Sequence, residues 1–202
     1  MELDDLFNIF TEFTHEENDD SLRHWIAKIE ETTAIITKNP EDAISYNIRG
    51  FAKWRIGEHK IALEDLTKAI ELKPDYSEAL TNMGMVKRDM RLLDEAETDL
   101  SQALALDGKN HVAHFAIGVV KNDQGMPAAA VQHFNDALAI KPNHAESLFG
   151  RAIVRIVLKE YKNALDDLNN AIAHNPDYQA AHNAREKLLL EHFTEQYPCA
   201  KF

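Results

Sequence analysis

Four prolines keep time in this chain. They stand at 40, 74, 142 and 176, separated by 34, 68 and 34 residues. The empty slot at 108 holds Gly108, in "LDGKN", another residue that ends helices. A period of this length marks a stacked array of small structural units rather than one irregular core. Four blocks follow: 43–76, 77–110, 111–144 and 145–178. Small residues recur in register within them. Gly50, Gly84, Gly118 and Ala152 hold the eighth position, Ala62, Ala96, Ala130 and Ala164 the twentieth, and Ala69, Ala103, Ala137 and Ala171 the twenty-seventh. Leu66, Leu100, Phe134 and Leu168 hold the twenty-fourth. Small side chains at fixed points let two helices approach closely, and the large one fills the space beside them.

Each block is expected to be two helices. In the first, "AISYNIRGFAKWRI" breaks at Gly57 and "HKIALEDLTKAIEL" follows with apolar spacings of three and four. The other breaks are expected at Arg91, Gly125 and Lys159. Pro127 suits the first turn of a helix, where no intrahelical N–H is lost. Scarce glycine and proline, with Ala, Leu, Glu and Lys abundant, favour the same all-helical reading.

In these residues the chain resembles the tetratricopeptide repeat (TPR) family, as four tandem copies over residues 43–178. The resemblance implies an all-α fold: a right-handed α-solenoid of antiparallel helix pairs, with the first helix of each pair lining a concave groove. The departures are Gly108 for proline, Arg91 and Lys159 for the inter-helix glycine, and Pro127 for the usual aromatic. Residues 1–42 are expected to form an acidic helix plus a capping helix or degenerate half-repeat. Residues 179–202 are expected to form a C-terminal capping helix running to about Tyr197 and stopped by Pro198.

The phrase "KPDYSEAL" (73–80) returns as "NPDYQAAH" (175–182). It reads as a joint: proline stops one helix, and Asp75 with Glu78 forms a capping box for the next. Asn143 with Glu146 repeats that arrangement. A second internal pattern pairs Arg49 with Asp65 and Arg151 with Asp167, sixteen residues apart, as ion pairs within a block.

The formal net charge is −12, and residues 1–20 alone hold eight carboxylates and no Lys or Arg. Such a balance argues against non-specific nucleic-acid binding and against an anionic membrane surface. No apolar run is long enough to span a bilayer, and the acidic start lacks the features of a signal peptide, so the chain reads as cytoplasmic. The single cysteine, Cys199, rules out an internal disulfide or a Cys cluster. In 21–40, Leu22, Trp25, Ile26, Ile29 and Ile36 share one helical side. In 2–13, Leu3, Leu6, Phe7, Phe10 and Phe13 share another. The latter segment is open to four readings: a cap, disorder, self-association, or occupancy of the protein's own groove.

No P-loop, nucleophile elbow, dinucleotide fingerprint or zinc-protease motif occurs, so no catalytic residues, cofactor or metal ligands are assigned and an enzyme is not expected. His111 and His114 lie three apart, without four ligands at convincing spacing. Function then falls to the groove. By the family's pattern it would be lined by Asn47, Phe51, Arg55, Thr81, Met85, Arg88, Phe115, Val119, Asn122, Phe149, Ile153, Asn183 and Lys187, with Asp89 and Asp123 at a margin. Phe51, Val112 and Ala116 stand where TPR co-chaperones that grip a C-terminal carboxylate need polar clamp residues. A mainly apolar groove better suits a peptide or helix of a partner protein. The alternatives are a chaperone-like holder of a hydrophobic client, as in small bacterial secretion TPR proteins, and a self-assembling protein joined through residues 1–13 or the C-terminal helix.

Overall fold

The computed structural model describes residues 19–193. Residues 1–18, including the expected helix at 2–13, and residues 194–202, including Cys199 and Pro198, lie outside the described residues. Among the described residues there are ten α-helices and no strand: α1 (Asp19–Lys38), α2 (Ala43–Arg55), α3 (His59–Leu72), α4 (Ser77–Asp89), α5 (Leu93–Leu106), α6 (His111–Asp123), α7 (Pro127–Ile140), α8 (Ala145–Val157), α9 (Tyr161–His174) and α10 (Gln179–His192). The fold is an all-α solenoid of helix pairs. It divides into two compact units, one up to Ala116 and one from Ile117, with the boundary inside α6.

Two kinds of joint alternate along the chain. The first closes α2, α4, α6 and α8 in one way each time. Gly57, Arg91, Gly125 and Lys159 all take positive φ, at 80, 63, 75 and 62°. After α2, the Gly57 N–H donates to the Trp54 carbonyl and the Glu58 N–H to the Lys53 carbonyl, both at 2.9 Å. The same pair of bonds recurs at Arg91 and Leu92, at Gly125 and Met126, and at Lys159 and Glu160. This is the Schellman arrangement, which satisfies the last carbonyls of a helix through one left-handed residue. Glycine adopts that conformation freely, whereas Arg91 and Lys159 hold it at a steric cost of about 1–2 kcal/mol each. All four breaks fall where the sequence places them.

The second kind of joint corrects the sequence reading. Residues 73–76 close a four-residue turn, with the Tyr76 N–H donating to the Lys73 carbonyl at 3.2 Å. Asn39–Asp42, Asp107–Asn110, Lys141–His144 and Asn175–Tyr178 close in the same way. Proline or glycine stands second in each turn, where proline's fixed φ is favoured. Asp75 is consumed as the third turn residue, so the helix N-cap falls on Tyr76, which makes no side-chain capping bond. Asn143 is displaced in the same way by His144, so neither expected capping box forms. Side-chain caps do form at Asp42, whose carboxylate accepts from the Ile44 N–H at 3.1 Å, and at Asn110, which accepts from the Ala113 N–H at 2.9 Å. Tyr76 is a packing residue instead. Its ring is buried with Ala69 and Ala79, and its hydroxyl accepts from Asn47 Nδ2 at 3.2 Å. Burial pushes the Tyr76 phenol above its ordinary pKa, with the Asn47 bond opposing.

The core follows the small-large register. Ala62, Ala69, Ala96, Ala103, Ala130, Ala137, Ala164 and Ala171 are fully buried, as are Leu66, Leu100, Phe134 and Leu168. A Cβ on Gly50 would lie 2.9 Å from Leu66 Cγ, and one on Gly84 only 2.5 Å from Leu100 Cγ. In the second unit Phe134 is larger than the leucines that hold its position elsewhere, and two glycines make room for it. A Cβ on Gly118 would meet its ring at 2.7 Å and one on Gly150 at 2.8 Å. In α1, Ile36 is buried as expected, but Ile26 is 43% exposed. The last described helix ends at His192 with Phe193 as its C-cap, and the expected run on to Tyr197 lies outside the described residues.

Candidate functional site

The expected pairs between Arg49 and Asp65, and between Arg151 and Asp167, are present and bidentate. Arg49 Nε and Nη2 donate to the Asp65 carboxylate at 2.8 and 2.7 Å. Arg151 does the same to Asp167 at 2.9 and 2.6 Å. The carboxylate holds the Arg49 guanidinium above its ordinary pKa, partly opposed by burial. Each arginine also reaches the helix sixteen residues before it. Arg49 Nη1 donates to Thr33 Oγ1 on α1 at 3.2 Å, and Arg151 Nη1 to Asn135 Oδ1 on α7 at 2.7 Å. Arg185 on α10 repeats the backward half with Asn169 at 3.3 Å. Each complete set therefore ties three successive helices together. A second cation, twelve residues before each acid, joins in: Lys53 to Asp65 at 2.9 Å, Lys87 to Asp99 at 2.7 Å and Arg155 to Asp167 at 2.6 Å. Lys53, Lys87 and Arg155 all hold the eleventh position of their blocks, a periodic signal that the sequence reading passed over.

These networks use Arg49, Lys53, Asp65, Arg151, Arg155 and Asp167 to hold helices together. The residues expected to bind a partner divide into three groups. Asn47 and Thr81 are buried and structural. Asn47 joins Tyr76 to Asn82, and Thr81 donates to the Ser77 carbonyl while accepting from Asn110. Phe115, Val119, Phe149 and Ile153 are core-like, with exposures of 9, 6, 1 and 1%. Phe149 lies 5.1 Å from the Tyr178 ring within the second unit.

The third group is half-buried or exposed, except for Arg88, which is 7% exposed. In the first unit Phe51 and Met85 are half-buried and pack on the cluster of Trp54, Met83 and Val86. Phe51 meets Trp25 and Trp54 edge-on, each at 5.4 Å between ring centroids. The Arg55 guanidinium lies 5.4 Å from the Trp25 ring centroid. Trp54 Nε1 donates to Asp89 at 2.7 Å, and Arg88 Nη1 lies 3.2 Å from the same carboxylate. Phe51, Met85, Arg55 and Arg88 are thus brought around two tryptophans. Neither tryptophan stood among the expected site residues. Trp54 holds the twelfth position of its block, one that the family's pattern already turns toward the groove. In the second unit Asn122 is half-buried. Asn183 and Lys187 line an open recess of about 410 Å³ on α10 with Glu186, Leu190 and Glu191. Asn183 accepts from Gln179 there, at 2.8 Å.

An aromatic patch with the Arg55 guanidinium beside it offers apolar anchorage next to a positive charge. Among the described residues no helix is long and apolar enough to cross a membrane.

Helix pairs at a 34-residue spacing, with a small residue where the two helices of a pair meet, define a helical-repeat protein. Tetratricopeptide repeat models match residues 43–76 and 75–143, together half of the chain, and the chain belongs to the tetratricopeptide repeat family. Proteins of this family are interaction scaffolds, generally without enzymatic activity, whose domains bind partner peptides. The chain is 39% identical over 64 residues to the DnaJ homolog subfamily C member 3 of Bos taurus, covering 32% of this chain and 13% of that one. Among solved structures it is similar to a thermophilic TPR protein of Thermus thermophilus. That match has a TM-score of 0.73 and 17% identity, covering 85% of this chain and 98% of the other. It is also similar to the first TPR of Spaghetti bound to an HSP90 peptide, with a TM-score of 0.54 and 19% identity, over 56% of this chain and 90% of that one.

Proposed function

We propose that the protein is a non-enzymatic scaffold that binds a peptide or helical segment of a partner protein, anchored by apolar side chains. The observation that carries this reading is the patch of Trp25, Phe51, Trp54 and Met85 with Arg55 at its edge. Two half-buried apolar side chains over a rigid tryptophan bed suit insertion of a partner's aromatic or aliphatic residue. Such anchors carry most of the energy in peptide interfaces. The solved TPR of Spaghetti with its bound HSP90 peptide supports peptide binding as a use of this fold. The polar clamp for a terminal carboxylate is not the chemistry of this patch, where Phe51 takes a clamp position. Asn183 and Lys187 extend the reading to a second contact on α10.

The test is selection from a random peptide display library on the full chain, repeated on Met85→Glu. Enrichment of peptides with hydrophobic anchors, lost in the variant while its helical circular dichroism is unchanged, is the expected result. Equal enrichment on both proteins would place the binding elsewhere and sink the reading.

A further inference from the structure

We infer that residues 1–18 act in cis as a ligand of the protein's own patch on the first unit, competing with the partner segment. This rests on the function proposed above and assigns that site its regulation. Three observations converge on it.

The first is chemistry. Residues 1–18 contain Glu2, Asp4, Asp5, Glu12, Glu16 and Glu17 and no Lys or Arg. Leu3, Leu6, Phe7, Phe10 and Phe13 follow spacings of three and four, the pattern by which an amphipathic helix fills an apolar groove. The second is complementarity. The patch offers Phe51 and Met85 on the tryptophan bed, and the Arg55 guanidinium edges it, opposite in sign to the segment's carboxylates, while Arg88 is buried and paired with Asp89. The third is tethering. The segment joins α1 at Asp19, and Trp25, which forms one wall of the patch, lies six residues on. At 1.5 Å per helical residue that is about 9 Å. A segment held so close experiences an effective concentration on the order of millimolar. Even a modest affinity for its own patch then keeps partners out until a better ligand displaces it.

The probe is a fluorescein-labelled peptide of residues 1–18, titrated by anisotropy into the full chain and into the full-length Phe7→Glu, Phe10→Glu variant. The variant is expected to bind the peptide about 10-fold or more tightly than wild type, because its own segment no longer competes. Adding Met85→Glu to that variant should remove the gain, and binding should weaken as salt rises. Equal affinity for wild type and variant overturns the inference, as does no binding to either. A wild type that binds the probe only as a dimer, by light scattering, overturns it in favour of exchange between two copies. These outcomes are separate from failure of the scaffold reading, which appears as display enrichment indifferent to Met85.

Discussion

Arg49 and Met83 occupy the same position in neighbouring helix pairs, and the first unit fills that position in two unrelated ways. Arg49 spans Thr33 on α1 and Asp65 on α3 as an ionic bridge. Met83 is a plug, 8% exposed, packed with Trp54, Ala62, Leu66 and Val86. Where the methionine stands, Asp99 is held by Lys87 at 2.7 Å instead of by an arginine at that position. A site that faces both flanking helices thus accepts either a satisfied charge or a well-packed apolar side chain. The neighbouring eighth position takes only small residues: glycine in three blocks and Ala152 in the last. Gly50 and Gly84 sit against leucine side chains and a backbone carbonyl, where the space is fixed.

The second unit offers the strongest way to break the comparison. Phe134 is fully buried between Gly118 and Gly150, so Phe134→Ala should cost about 3–5 kcal/mol in urea denaturation. Gly150→Ala should cost about 1–3 kcal/mol by overpacking, and Phe134→Leu in the same chain should recover most of that loss. Gly84→Ala should cost a similar amount, because Leu100 Cγ and the Ala96 carbonyl both crowd the new methyl. Full stability in either glycine variant would show that the helices separate easily, contrary to the packing described.

The bridge is testable against the plug. Arg49→Met alone should cost about 1.5–3 kcal/mol, since Asp65 is 5% exposed and would lean on Lys53. Arg49→Met with Asp65→Leu should come close to wild type, imitating the solution at Met83. If the double variant is no better than the single, the two solutions are not interchangeable. The smallest expected effect is a gain. Arg91→Gly and Lys159→Gly should each stabilise by up to about 1 kcal/mol, by releasing a left-handed backbone residue. A loss at either site would assign those side chains a structural role outweighing the strain.

Helix positions, the breaks between helices and the small-large core were legible because each depends on residues near one another in a repeating frame. Sixteen-residue spacing revealed Arg49–Asp65 for the same reason. The reach back to Thr33 and Asn135 was equally regular, yet Thr and Asn carry no charge signal to draw attention. The capping boxes failed on a one-residue ambiguity. Asp75 is a good cap by type, but the turn that Pro74 begins needs four residues and takes it. The proposed binding residues were the least legible. Whether a side chain at a groove position is half-open, like Met85, or sealed, like Phe149 at 1%, depends on helices distant in sequence. "PDY" itself is settled in one respect: its tyrosine packs and its proline turns the chain, so the repetition is architectural.

The central claim is that partner recognition falls on the aromatic patch of the first unit and not on the repeated geometry of the joints. Chemical-shift mapping of the full chain with a display-selected peptide tests it most directly. The account predicts the largest shifts at the Trp25 and Trp54 indoles and the Met85 methyl, with Tyr76 and Tyr178 little changed. Shifts confined to the exposed isoleucines Ile44, Ile48 and Ile61, with the two indoles unmoved, would contradict it.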